Sequence, residues 1–294
     1  MKLFGGIEAG GTKFVCAIGD ETGKILSEVT LPTHTPEETL PAVIKFFQES
    51  EYAKKITAFG IGSFGPIDCN VNSLKYGYIT STPKKDWINC DIVGAIKDAF
   101  KKPVGFATDV ATAALGEYAW GEGQNLDHLV YMTIGTGIGA ASVINGELLH
   151  GAGHQEIGHM LIPQDKKLDP FEGICPYHHN CFEGLASGVA IKKRWSLESA
   201  LYLPNHHKAW DIEADYIAAG LMNIILNLSP NKIILGGGVM RQTHLFAKIR
   251  ERVVKKINGY VQLENMDTFI VPPGLSDRSG VVGAIALAKK TLEK

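Results

Sequence analysis

Two stretches of this chain share one plan: LFGGIEAGGTKFVCAIGD at 3–20 and LVYMTIGTGIGAASVINGE at 129–147. Each is an apolar run too short for a helix, broken by glycines and resumed. That is the pattern of two buried strands joined by a tight turn. A strand pair of this kind has to bury both faces, so it predicts an α/β protein with helices packed on sheets. A shift of 127 residues places Ile7 on Ile134, Gly10 on Gly137, Ala17 on Ile144 and Gly19 on Gly146. A duplicated strand-turn-strand predicts two lobes of similar topology.

Helical periodicity follows each hairpin: PEETLPAVIKFFQES and CDIVGAIKDAF in the first half, then EADYIAAGLMNIILNLS, QTHLFAKIRERVVKKI and SGVVGAIALAKKTLEK in the second. A chain of 294 residues suits two domains. The expected division is a smaller N-terminal lobe at 1–115 and a larger C-terminal lobe at 116–294, with the last helix packing back on the first lobe.

The net charge of −2 provides no basic face for nucleic acid and no polybasic membrane anchor. No apolar run approaches the roughly 18 residues of a membrane span, and glycines with Glu8 interrupt the N-terminus before a signal-peptide core could form. A cytoplasmic protein is expected. Of five cysteines, Cys16, Cys69 and Cys90 lack any framework spacing and read as buried small hydrophobes in a reducing compartment.

GIEAGGTK at 6–13 imitates a P-loop, but Thr12-Lys13 reverses the order a P-loop needs and a strand follows where a helix should. A glycine hairpin can still cradle phosphate, because backbone N–H groups approach the oxygens closely, with the Thr12 hydroxyl and Lys13 cation beside them. TIGTGIGA at 133–140 can do the same, and its Gly135-x-Gly137-x-Gly139 spacing is not a dinucleotide fingerprint. In IILGGGVM an apolar strand runs into Gly236-Gly237-Gly238, followed by an expected helix. This strand end suits a flat purine, and a plain strand-to-helix turn would look alike. Asp109, on the brink of a helix, is by itself either an N-cap or a general base, and the segment alone favours the cap.

GHQEIGHM spaces Glu156 and His159 so that they share a face of a helix and could bind vicinal hydroxyls. His159, Cys175, His178 and Cys181 supply two imidazoles and two thiols in a compact segment, a donor set suited to tetrahedral zinc. His179 is a less regular alternative to His178, and His154 a weaker substitute. Four protein ligands leave no open position for water, so the expected metal is structural.

Taken in order, GIEAGGTK, TDVATAALGE, TIGTGIGA, the EIGH box with its Cys/His cluster, and LGGGVM resemble the ROK family of sugar kinases and repressors, across essentially the whole chain. Within it the chain is most similar to bacterial fructokinases, through the same EAGGTK, GSFGPID at 62–68, TPKxxW at 82–87 and CPYHxxC. The resemblance implies a two-lobed actin-like ATPase (ribonuclease H-like) fold with a cleft between the lobes, in which ATP phosphorylates a hexose hydroxyl. It makes Asp109 the catalytic base. It makes Gly10, Gly11, Thr12, Lys13, Thr133, Gly135, Thr136 and Gly137 the phosphate loops, and Gly236, Gly237 and Gly238 the adenosine site. It assigns Gly65, Pro66, Trp87, Asp109, Glu156 and His159 to the sugar, and implies magnesium with ATP, near Glu8, besides the structural zinc.

This sequence departs from the family in having Glu8 for a usual Asp, no Asn beside Asp109, and His178 for a third cysteine. The implied reaction is D-fructose to D-fructose 6-phosphate, with glucose or mannose as alternative acceptors and a non-catalytic sugar sensor as the less favoured reading. A family repressor would carry a helix-turn-helix before the first hairpin, for which residue 4 leaves no room. The implied partners are ATP, a hexose and a second copy in a homodimer, without nucleic acid or membrane.

Overall fold

The structure, a computed structural model, describes residues 2–198, 203–263 and 265–293. These gather into two compact units. The first comprises 1–125, 142–155 and 274–294, and the second 126–141 and 156–273.

The first unit is built on β1 (Leu3–Ala9), β2 (Lys13–Asp20), β3 (Ile25–Pro32), β4 (Ile56–Ser63) and β7 (Val104–Thr108). Their order is β3-β2-β1-β4-β7, with the first three antiparallel and β4 and β7 parallel to β1. A small ribbon of β5 (Tyr78–Ile79) and β6 (Cys90–Asp91) accompanies it. Its helices are α1 (Pro36–Glu49), α2 (Ile92–Phe100), α3 (Asp109–Trp120) and the C-terminal helix, Ser279–Glu293.

Strand alternation decides which helix covers which face. Leu3, Ile7, Phe14, Cys16, Phe59 and Ile61 join the core of Val43 and Phe47 of α1 and Ile92 and Ile96 of α2. The intervening Phe4, Val15, Ala17 and Ala58 meet Val281, Val282, Ile285 and Ala288 of the C-terminal helix. That helix reaches α3 closely enough that a Cβ on Gly283 would lie 1.6 Å from the Thr112 carbonyl oxygen, so only glycine fits.

Glu117 of α3, fully buried, closes this corner. Its carboxylate accepts the backbone N–H groups of Glu122, Gly274 and Leu275, each at 3.0 Å, and the Ser279 hydroxyl at 2.7 Å. Glu117→Ala strips the acceptor from four donors, and at about 1–3 kcal/mol per stranded donor the expected loss exceeds about 3 kcal/mol, or roughly 10 °C in Tm. A calorimetric Tm unchanged within about 2 °C would show that water replaces the carboxylate.

The second unit is built on β8 (His128–Ile134), β9 (Ile138–Ile144), β11 (Lys232–Gly236) and β12 (Ile270–Val271), with β10 (Glu147–Leu148) pairing the far end of β9. The strand order is β10-β9-β8-β11-β12, with β11 parallel to both neighbours. The division between units falls inside β9, after Ala141. Helices α4 (Phe182–Ala186), α5 (Gly188–Trp195), α6 (Ala209–Leu228), α7 (Leu245–Ile257) and α8 (Met266–Phe269) complete it, and the C-terminal helix is therefore α9. Phe182, Trp210, Ile217 and Leu235 lie at the centre of its core.

The duplicated hairpin is present, but the two copies are spaced 125 residues apart, not 127. Both loops have three residues, Gly10-Gly11-Thr12 and Gly135-Thr136-Gly137, so Gly10 matches Gly135 and Lys13 matches Ile138. The two shifts differ by an even number of residues, which preserves the in-out alternation of strands, so apolar patterning could not separate them. The cysteine expectation also needs correction. Cys16 is buried, whereas Cys69 and Cys90 are only partly so.

Candidate functional site

In the first unit the hairpin loop is closed by the Gly10 N–H donating to the Lys13 carbonyl at 3.0 Å, and tied to the residue after β3 by the Thr33 hydroxyl, which donates to the Gly10 carbonyl at 2.8 Å. Thr12 and Lys13 stand exposed at its tip. Two residues before the loop, Glu8 shares a charged locus with Asp109 and Lys13. Burial first, then the Asp109 charge, push its carboxyl up to about 7, against the pull of Lys13.

Asp109 begins α3 directly after β7, and the capping question resolves in favour of its neighbour. The Thr108 hydroxyl accepts the Ala111 N–H at 3.2 Å as the N-cap, while Asp109 keeps one oxygen on its own following N–H, that of Val110, at 2.8 Å. Burial pushes the Asp109 carboxyl up to about 6, where it can hold or release a proton near neutrality. Gly65 and Pro66 lie in the turn after β4, where the Pro66 carbonyl accepts the Thr80 N–H at 2.8 Å. Trp87 differs from its expected place. It is 1% exposed, its indole N–H donates to the His34 carbonyl at 2.8 Å, and its ring packs on Phe14 and Phe64. It braces the wall from within and has no free donor for a ligand.

In the second unit the other two glycine loops come together. Thr136 is exposed at the tip of the β8–β9 hairpin. Gly237 takes φ +91° after β11, with its backbone so near that of Ile134 that a Cβ would sit 2.5 Å from the Ile134 carbonyl oxygen. Gly238 faces open space, and a 3-10 turn at Val239–Arg241 follows where a longer helix was expected. The hairpin is held at both ends. The Gly188 N–H donates to the Gly135 carbonyl at 2.7 Å, and the Ile138 N–H donates to the Glu183 carboxylate at 2.9 Å.

Glu156 precedes and His159 ends a single 3-10 turn, Ile157–His159, not an α-helix, closed by the His159 N–H donating to the Glu156 carbonyl at 3.0 Å. Glu156 is exposed. Gly158 lets this turn lie against β9, since a Cβ there would lie 1.9 Å from the Ile138 carbonyl oxygen.

His159, Cys175, His178 and Cys181 converge, with one ligand atom from each within 4.8 Å of all the others. The Nδ1 atoms of His159 and His178 lie 3.7 Å from Cys175 Sγ, and His159 Nδ1 lies 3.6 Å from Cys181 Sγ. Zn–S bonds of about 2.3 Å and Zn–N bonds of about 2.0–2.1 Å give a tetrahedral S···N edge of about 3.6 Å, so the donors fit zinc. Burial pushes the Cys181 thiol up to about 11, so a thiolate there calls for a cation. His179, with φ +52°, spends its backbone on Cys175 instead, its N–H donating to the Cys175 carbonyl at 3.0 Å. With Nδ1 facing the thiols, His159 keeps Nε2 for another partner.

Comparison with known proteins bears on this geometry. The ROK family model matches residues 4–291. The chain belongs to the ROK family. It is 44% identical to a fructokinase of Streptococcus mutans over 98% of each chain, and 43% identical to a fructokinase of Pediococcus pentosaceus over 99% of each. Among solved structures it is similar to a ROK family glucokinase from Streptomyces griseus in complex with glucose and AMPPNP, with a TM-score of 0.74 and 25% identity over 98% of this chain and 99% of that one. The fold is accordingly that of the ROK kinases, mixed α/β with two five-stranded sheets. No described helix is long and apolar enough to cross a membrane.

Sequence reasoning missed Glu117 and Glu183. An isolated glutamate in an apolar helix was the one available signal for the first. For the second it was the glutamate directly following the cluster in CFEG.

Proposed function

We propose that this ROK protein is an ATP-dependent fructokinase, converting D-fructose to D-fructose 6-phosphate. The observation that carries the reaction class is Asp109, a carboxyl relieved of capping by Thr108 and poised near pH 6. Its similarity to curated fructokinases over nearly the full chain supports the acceptor.

Asp109 takes the proton of the acceptor hydroxyl as that oxygen attacks the terminal phosphorus in line. Thr12, Lys13 and the backbone N–H groups of Gly10 and Gly11 serve the phosphates, as do Thr133, Gly135, Thr136 and Gly137, while Gly236–Gly238 receive the adenosine. Gly65, Pro66, Glu156 and His159 position the sugar. Glu8, raised in part by the Asp109 charge, and Asp109 suit a divalent cation, and magnesium bound with ATP would neutralise phosphate charge, with Glu8 holding its water. His159, Cys175, His178 and Cys181 would hold a structural zinc. Its four-ligand set leaves no site for hydrolytic water, which disfavours a zinc hydrolase.

A coupled ADP-release assay with Mg-ATP over a panel of fructose, glucose, mannose and N-acetylated hexoses tests the reading. The highest kcat/KM is expected with fructose. Turnover of glucose or mannose without fructose would overturn the acceptor, and no ADP release with any hexose would overturn the kinase.

A further inference from the structure

Cys69 behaves unlike the other thiols of the first unit. Burial pushes Cys90 up to about 11 and Cys16 higher still. Cys69 is half-buried as well, yet imidazoles reverse the effect. Interaction with the His150 and His154 imidazoles, from the stretch after β10, lowers its thiol to about 6. Tyr76 lies close enough for its phenol to be raised by burial and by the Cys69 charge. The Tyr76 ring is backed by Phe106 at 6.2 Å and by the Lys97 ammonium at 5.6 Å.

Cys69 and His150 line a cavity of about 620 Å³ formed wholly by first-unit residues. The other charges on its wall, Glu147 and Lys290, pair at 2.7 Å, and the charge of His154 also reaches Asp109. The donors are not gathered for a metal. Among the described residues the one set of ligand atoms that close together is that of His159, Cys175, His178 and Cys181.

We propose that Cys69, which lines this cavity together with His150, is a thiolate modification site that takes hydroperoxides and other small soft electrophiles. Low thiol pKa, partial exposure and neighbouring imidazole are the conditions under which a cysteine reacts selectively. The thiolate sulfur attacks one peroxide oxygen, so that an S–O bond forms as the O–O bond breaks. The departing oxygen carries off the electron pair and takes a proton from an imidazolium. Sulfur is oxidised by two electrons to the sulfenic acid, and hydrogen peroxide is reduced to water. None of the roles assigned to the kinase reaction uses Cys69, so this site stands or falls apart from that reading.

The test is alkylation of the whole purified protein by iodoacetamide between pH 5 and 9, each cysteine being quantified by peptide mass spectrometry. At pH 6 such a thiol is half ionised, against about 0.3% for an ordinary thiol of pKa about 8.5. Lower basicity reduces intrinsic nucleophilicity roughly tenfold, leaving Cys69 roughly tenfold faster than an unstructured cysteinyl peptide at pH 6. Half-maximal reactivity near pH 6 is expected, with dimedone trapping a sulfenic acid at Cys69 after hydrogen peroxide. His150→Gln and His154→Gln should each move the midpoint toward that of the peptide. A wild-type midpoint at the peptide value, or dimedone captured at Cys90 in preference to Cys69, overturns the proposal, and neither result depends on a variant folding.

Discussion

Asp109→Asn is expected to lower kcat by about 10²- to 10⁴-fold, the range a general base contributes, while zinc content and Tm stay at wild-type values. The substitution is nearly isosteric, and the Thr108 hydroxyl keeps the cap of α3, so folding has little reason to change. Asparagine retains an oxygen for the Val110 N–H but cannot take a proton from a sugar hydroxyl. Turnover surviving within a few-fold would sink the assignment of Asp109 as base.

The pH profile supplies a second readout of the same group. Burial and Asp109 raise Glu8 to about 7, and burial raises Asp109 to about 6. A base with a raised pKa is protonated, and idle, below that value. The expected kcat/KM is therefore flat at higher pH and falls as pH drops through about 6, well above the roughly pH 4 of an ordinary aspartate. An acid limb near pH 4 would show that Asp109 is solvated as freely as a surface carboxylate.

Cys181→Ser carries the second large effect. Zinc measured by plasma emission should fall from about one per chain to a small fraction, because one thiolate of a closed four-ligand set is gone. The consequence should be selective. His159 is both a cluster member and the end of the 3-10 turn that Glu156 precedes, so the turn proposed to position the sugar loses its anchor. The β8–β9 hairpin, proposed to serve the phosphates, keeps the Glu183 carboxylate on the Ile138 N–H and the Gly188 N–H on the Gly135 carbonyl, neither of which involves a cluster side chain. KM for the sugar should then rise by about an order of magnitude, equivalent to ~1.4 kcal/mol, and KM for ATP by much less. Equal loss of both would mean general unfolding. Retained zinc would mean that the cluster is not its site.

Both predictions use motifs that were legible because they are local. A glycine between apolar strands marks a hairpin wherever the chain goes, and CPYHHNC packs three donors into seven residues. The sequence alone therefore determined the two hairpins, the main helices, the family and the kinds of donor in the cluster. It left open what depends on groups distant in the chain. Period-two alternation tolerates an even shift, so the true spacing of the hairpins waited on the three-residue loops. Asp109 before a helix looks like a cap until the neighbouring Thr108 is seen to fill that role and Glu8 is seen to share its charge. His178 and His179 differ only in backbone conformation, which turns one toward Cys175 Sγ and spends the other's N–H on the Cys175 carbonyl. Glu117 reads as an ordinary helix residue, Trp87 as an accessible aromatic and Cys69 as an inert thiol. Folding brings the Gly274 and Leu275 N–H groups, the His34 carbonyl and the His150 and His154 imidazoles to them, because hydrogen bonding and desolvation depend on distance in space, and the sequence records only distance along the chain.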